Sequence, residues 1–100
     1  NTKELALEFI SKGFKSHVCS VDASKIPSNL VGVDFSADFL NKLPNEIDAC
    51  GENGEFHSYC YDGPLFNNRI DFIINGISEQ KYEYNNNVFI YLFSDLKPSY

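Results

Sequence analysis

Apolar and polar positions change rhythm twice along this chain of 100 residues. Leu5, Leu7, Phe9 and Ile10 supply the apolar side of a first helix, which Thr2 is placed to cap and Gly13 to end. Phe14, Ser16, Val18 and Ser20 then alternate with Lys15, His17, Cys19 and Val21, which predicts a strand. Helix, glycine, strand is half of an α/β unit, and the strand expected before Asn1 in such a unit is missing from the sequence. Residues 22–33 read as a loop punctuated by Pro27 and Gly32. Ser36 predicts the N-cap of a second short helix, with Phe39, Leu40 and Leu43 turned inward and Pro44 stopping it. Beyond a polar stretch over 45–54, period two takes over. Segments 56–61, 69–77, 81–84 and 88–93 are candidate strands, with Asp62-Gly63-Pro64 and Asn85-Asn86-Asn87 as turns. The expected fold class is α+β: two short helices early and a mixed or antiparallel sheet late.

Composition narrows the picture. A chain of this length is one domain, 1–100, large enough for a core without disulfides or a structural metal. Nine Phe and six Tyr are available to fill it. The formal net charge of −6 repels phosphate backbones, so nucleic acid is an unexpected ligand; Lys12, Lys15 and His17 are the nearest approach to a basic cluster and are too few for one. The longest apolar run falls far short of the ~20 residues of a membrane span, and no signal peptide is visible in this sequence. Cys19, Cys50 and Cys60 are odd in number with no CxxC pair, so free thiols and a cytoplasmic setting are expected.

The densest chemistry lies in Cys50-Gly51-Glu52-Asn53-Gly54-Glu55-Phe56-His57-Ser58. Two glycines three apart let the backbone turn sharply and approach a ligand. Two carboxylates and an imidazole share the loop and the head of the strand, joined by Asn53 and Ser58. Physics allows three roles. The carboxylates can hold an ammonium group or magnesium, His57 can act as acid or base near neutral pH, and the backbone around Gly51 and Gly54 can cradle an anion. A solvated surface turn leading into a hairpin fits the same spacing. Cys50, His57 and Cys60 match no zinc spacing, and Cys50 has no evident base to make it a nucleophile, so no metal is expected here.

The run Gly51 to Ser58, followed by Asp62-Gly63-Pro64-Leu65-Phe66, resembles the signature of the diphthine–ammonia ligase family, also described as N-type ATP pyrophosphatases. That signature runs Gly-Glu-x-Gly-Glu-Phe-His-Thr/Ser, a short strand, then Asp-Gly-Pro-x-Phe, and Ser58 takes the Thr/Ser position. Upstream, the helix ending at Gly13-Phe14 and the Gly32 to Leu40 segment are similar too, so the resemblance covers almost the whole chain. Ala49 departs from the Pro that relatives often carry there, which touches loop stiffness and not the charged groups.

The resemblance implies the C-terminal half of a PP-loop α/β enzyme. In such an enzyme an N-terminal PP-loop domain with a Ser-Gly-Gly-Lys-Asp-Ser loop binds ATP and adenylates a carboxylate, and the C-terminal half completes the substrate cleft. In archaea and eukaryotes the substrate is diphthine on elongation factor 2, and ammonia displaces AMP. This sequence has no Ser-Gly-Gly-Lys-Asp-Ser and starts at Asn1 rather than Met, as expected of a piece of a longer protein. No cofactor is expected to bind this chain alone; ATP and magnesium belong to the full-length parent, and the missing PP-loop domain is its expected partner. The implied catalytic residues are Glu52, Glu55 and His57, and the implied substrate-binding residues are Gly51, Asn53, Gly54, Ser58, Asp62 and Gly63. The alternative is a stand-alone protein- or small-ligand-binding module without catalysis. The aromatics Tyr82, Tyr84, Phe89, Tyr91 and Phe93 are expected to pack in the core and hairpin.

Overall fold

The strand after Gly13 became the centre of the molecule because its residues can be buried on both sides. The structure, a computed structural model, describes residues 2–65, 68 and 70–98. Its elements are helix α1 (Thr2–Ser11), strand β1 (Lys15–Asp22), a one-turn 3-10 helix (Ser28–Leu30), helix α2 (Ala37–Lys42) and strands β2 (Phe56–Asp62), β3 (Phe72–Tyr84) and β4 (Asn87–Pro98). The sheet has the order β2-β1-β4-β3, and every pairing is antiparallel. Two short helices with a four-stranded antiparallel sheet make the fold α+β, as the patterning predicts.

β1 does not alternate in burial as its sequence does. Ser16, His17, Val18, Ser20, Val21 and Asp22 are all buried. One edge of β1 pairs with β2. The other is divided: Ser20 to Asp22 pair with β4, while the Val18 N–H donates to Val33 at 2.8 Å and the Phe35 N–H donates to Ser16 at 2.9 Å. The apolar side of β1 meets Ile26, Leu30, Val31, Phe35, Phe39, Leu40 and Phe56 in one core. The Phe56 ring stands 5.1 Å from Phe39 and 6.1 Å from Phe35. Burying each such ring stabilises the fold by roughly 1.5–3 kcal/mol.

The helices follow their signals with two corrections. The Ser36 hydroxyl accepts the Phe39 N–H at 3.2 Å, the expected N-cap, and α2 buries Phe39 and Leu40 with Leu43 half-buried at its end. α1 buries Ala6 and packs Phe9 and Ile10 on the core, but leaves Leu5 57% exposed and Leu7 exposed as well. Ala6, Phe9 and Ile10 share a helical face that excludes Leu5 and Leu7, so hydrophobicity without phase misassigned those two. Thr2 lies inside the helix rather than before it.

The late strands are longer than expected. The expected segments 69–77 and 81–84 merge into one strand, β3, which starts only at Phe72, leaving Ile70 and Asp71 outside it, with a register shift between Ile74 and Ile77 where Gly76 sits; Arg69, Phe66 and the Tyr84 side chain lie outside the described residues. β4 runs past 93 to Pro98 because Ile73 and Ile74 pair with Lys97 and Leu96. Asn85 and Asn86, with φ of +50° and +65°, make the two-residue hairpin turn, so Asn87 opens β4 instead of belonging to the turn. Among the described residues no helix is long and apolar enough to cross a membrane.

Candidate functional site

Asp48 organises the loop that carries the motif. Its Oδ2 accepts the Cys50 N–H at 2.9 Å and the Glu52 N–H at 3.1 Å, a local turn that Asp is suited to make. The Glu52 amide and then the Thr2 hydroxyl hold its carboxyl below the usual carboxylate range, against an upward push from burial, and the Cys50 amide adds the smallest downward pull. The Cys50 thiol donates to the Thr2 carbonyl at 3.4 Å, so the loop is tied to the start of α1. Gly51 has φ of +66°, and a Cβ there would stand 2.6 Å from the Phe56 carbonyl oxygen. The loop therefore folds back on the head of β2 with no room for a side chain.

This fold-back buries Glu55. The residue is 4% exposed, and its Oε1 has no hydrogen-bond partner. The Glu55 carbonyl accepts the Asp22 N–H at 2.7 Å, which sets the loop beside the end of β1. Asp22 is buried too, its Oδ1 accepting the Ser24 N–H at 3.0 Å and the Ser24 hydroxyl at 2.7 Å. Tyr91 pairs with Asp22 across β1 and β4, and its hydroxyl donates to the Gly54 carbonyl at 3.4 Å. Burial pushes the Tyr91 phenol up, and the charges of Asp22, Glu55 and then Tyr82 push it further. Two buried carboxyls and a phenol thus converge under the loop. A buried carboxyl oxygen without a partner is costly, on the order of 1–3 kcal/mol, and such a cluster suits a cationic group.

The structure brings Gly51, Gly54 and Glu55 together with residues the motif did not name. Glu52 and Asn53 are exposed at the loop tip, and His57 and Ser58 are exposed on β2. Asp62 and Gly63 lie at the other end of β2, about 20 Å away at the usual strand rise. There the Asp62 carboxylate accepts the Gly63 N–H at 2.9 Å, and Gly63 fits under the Phe14 ring, where a Cβ would meet ring carbon at 2.4 Å. Asp48, Asp22 and Tyr91 were missed by sequence reasoning. An Asp shortly before a glycine loop is a usable turn signal for Asp48; nothing local marks Asp22 or Tyr91. Tyr91 serves both as hairpin packing, 6.0 Å from the Tyr82 ring, and as a tie to the loop.

Cys19, Cys50 and Cys60 are free thiols. Burial, followed by Asp48 and Glu52, pushes the Cys50 thiol up, and burial does the same for Cys19. Both are protonated, poor nucleophiles at neutral pH.

A concavity of about 520 Å³ opens near the far end of β2, lined by His17, Asp34, Tyr61, Asp71 and Phe72 among others. His17 is 2% exposed, with Nε2 2.8 Å from the Ser94 hydroxyl and its ring edge-on to Phe72. Burial lowers the His17 pKa from 6.5, against an upward pull from Asp34. With the folded value below the unfolded one, native His17 resists protonation. Its contribution to stability is intact above pH 6.5 and declines as pH falls below that. An NMR titration of the His17 ring is expected to give a midpoint under 6.5, with unfolding free energy falling as the pH drops below 6.5. A midpoint at or above 6.5 contradicts this account.

The model of the diphthamide synthase C-terminal domain matches residues 1–94. The chain belongs to that family. Membership ties this domain to diphthamide biosynthesis, and the matched range includes the Gly51 to Ser58 run. Among curated proteins, none matches the chain.

Proposed function

We propose that this domain is the substrate-side half of an ATP-dependent ligase that forms an amide on diphthine of elongation factor 2. In that reaction ATP adenylates the diphthine carboxylate with loss of pyrophosphate. Ammonia then attacks the acyl carbon, the acyl–phosphate bond breaks, and AMP leaves. The observation that carries the reading is the buried Glu55 carboxyl, whose Oε1 has no hydrogen-bond partner, on a glycine-folded loop within the matched domain. Glu55 holds or orients a cationic group of the substrate, while Glu52 and His57 stand exposed where a docked substrate meets the loop. Gly51, Asn53, Gly54 and Ser58 shape that surface, and Asp62 and Gly63 fix the far end of β2.

Acidic groups dominate the loop, and these do not suit a triphosphate. On this reading ATP and its magnesium belong to the PP-loop half of the full-length protein.

The test is an assay of the full-length parent with ATP, an ammonium salt and diphthine-bearing elongation factor 2. Pyrophosphate, AMP and the amide product are expected in equal amounts, each dependent on all three substrates. Binding of elongation factor 2 without AMP release would instead establish a recognition module and end the ligase reading.

A further inference from the structure

β3 closes one side of the sheet, and among the described residues no strand pairs with its outer edge. From Ile77 to Tyr84 it runs in unbroken register with β4, between the shift at Ile74/Ile77 and the Asn85-Asn86 turn. Such an edge offers its free backbone N–H and C=O groups to another strand. Charges usually blunt such edges, but here their order is Glu79, Gln80, Lys81, all exposed. Among the described residues Glu79 and Lys81 take no ion pair within the chain.

That order is self-complementary in one direction only. A parallel copy in register would set Glu79 against Glu79 and Lys81 against Lys81. An antiparallel copy turned about Gln80 sets Glu79 opposite Lys81 of the second copy, and Lys81 opposite its Glu79. The same register places the small Ser78 opposite Tyr82, which is 51% exposed, and covers Ile77, 59% exposed, with the methylenes of Glu83. A register turned about Tyr82 would match Lys81 with Glu83 but runs off the strand end at Tyr84. Centring on Gln80 uses Ile77 to Glu83, all of the straight stretch but Tyr84.

We propose that this chain pairs with a second copy of itself along the outer edge of β3, antiparallel and centred on Gln80. The pairing joins the two four-stranded sheets into one continuous sheet across a two-fold axis. It does not rest on the ligase reading.

Sedimentation equilibrium of the chain is expected to give a monomer–dimer equilibrium with a dissociation constant on the order of 10–100 µM, suited to a small interface. Lys81→Glu puts Glu opposite Glu twice, once on each side of the axis, and is expected to raise that constant about tenfold. The double variant Glu79→Lys/Lys81→Glu restores opposite charges and is expected to return it to within about threefold of the original. Both positions are exposed, so circular dichroism should show each variant folded. A chain that stays monomeric well above these concentrations overturns the proposal. So does a dimer indifferent to Lys81→Glu, or a folded double variant that fails to recover.

Discussion

Glu55→Gln in the full-length parent is expected to lower the rate of amide formation about a hundredfold, close to 2.7 kcal/mol of transition-state stabilisation, while leaving the domain folded. Glutamine keeps the size of the side chain, so the packing around Phe56 and Tyr91 is undisturbed. It removes an acid from a buried cluster that already contains Asp22, and from a position where one carboxyl oxygen has no partner. The melting temperature should therefore hold or rise. The activity loss follows because a cationic group held at Glu55 loses its counter-charge, and with it the alignment of the reacting carboxylate. Glu52→Gln is the contrast: Glu52 is exposed at the loop tip, and a group that solvent already screens should matter less. Near-normal turnover of the Glu55→Gln parent removes Glu55 from the reaction. A collapsed melting temperature makes it a structural tie instead.

Gly51→Ala is expected to destabilise the domain by about 3 kcal/mol or more, lowering its melting temperature by more than about 10 °C. Two costs add. At φ of +66° an alanine is in the left-handed region, about 1–2 kcal/mol above its preferred state. The new Cβ would also stand 2.6 Å from the Phe56 carbonyl oxygen and 3.3 Å from its ring, so backbone must move. Gly54→Ala separates them. Gly54 has φ of +79° and open space where a Cβ would go, so only the first cost applies and about 1–2 kcal/mol is expected. Equal losses for the two variants, measured by thermal or denaturant unfolding, would show that the approach of Gly51 to Phe56 is not what sets the loop.

Much of this architecture follows from local chemistry. Ser36 and Pro44 bracket α2 because a hydroxyl cap and a ring without an N–H act on their immediate neighbours. The family was legible in the Gly51 to Ser58 run because a long motif survives as text, and the family match covers residues 1–94. Free thiols followed from an odd cysteine count with no CxxC pair. Local rules faltered where an element takes its environment from distant chain. Leu5 and Leu7 are as apolar as Ile10, but only the core around Phe35 decides which helical face turns inward. Ser16, Ser20 and Asp22 alternate as solvent-facing residues would, and are buried because segments 32–35 and β4 close over the same edge of β1.

The sequence by itself determined the fold class, the Ser36 cap, the place of the Asn85-Asn86 turn, and a glycine loop ending on a strand, since each depends on backbone preferences and contacts a few residues apart. Only the tertiary structure decided that Glu55 is a buried acid rather than a solvated one. It stands beside Asp22 and Tyr91, 33 and 36 positions away in the chain, because β1 pairs with β2 and β4 at once. It also divided the motif, sending Asp62 and Gly63 to the opposite end of β2 from Gly51 and Glu55. An extended strand separates in space what sequence sets side by side, and sheet pairing joins what sequence keeps apart.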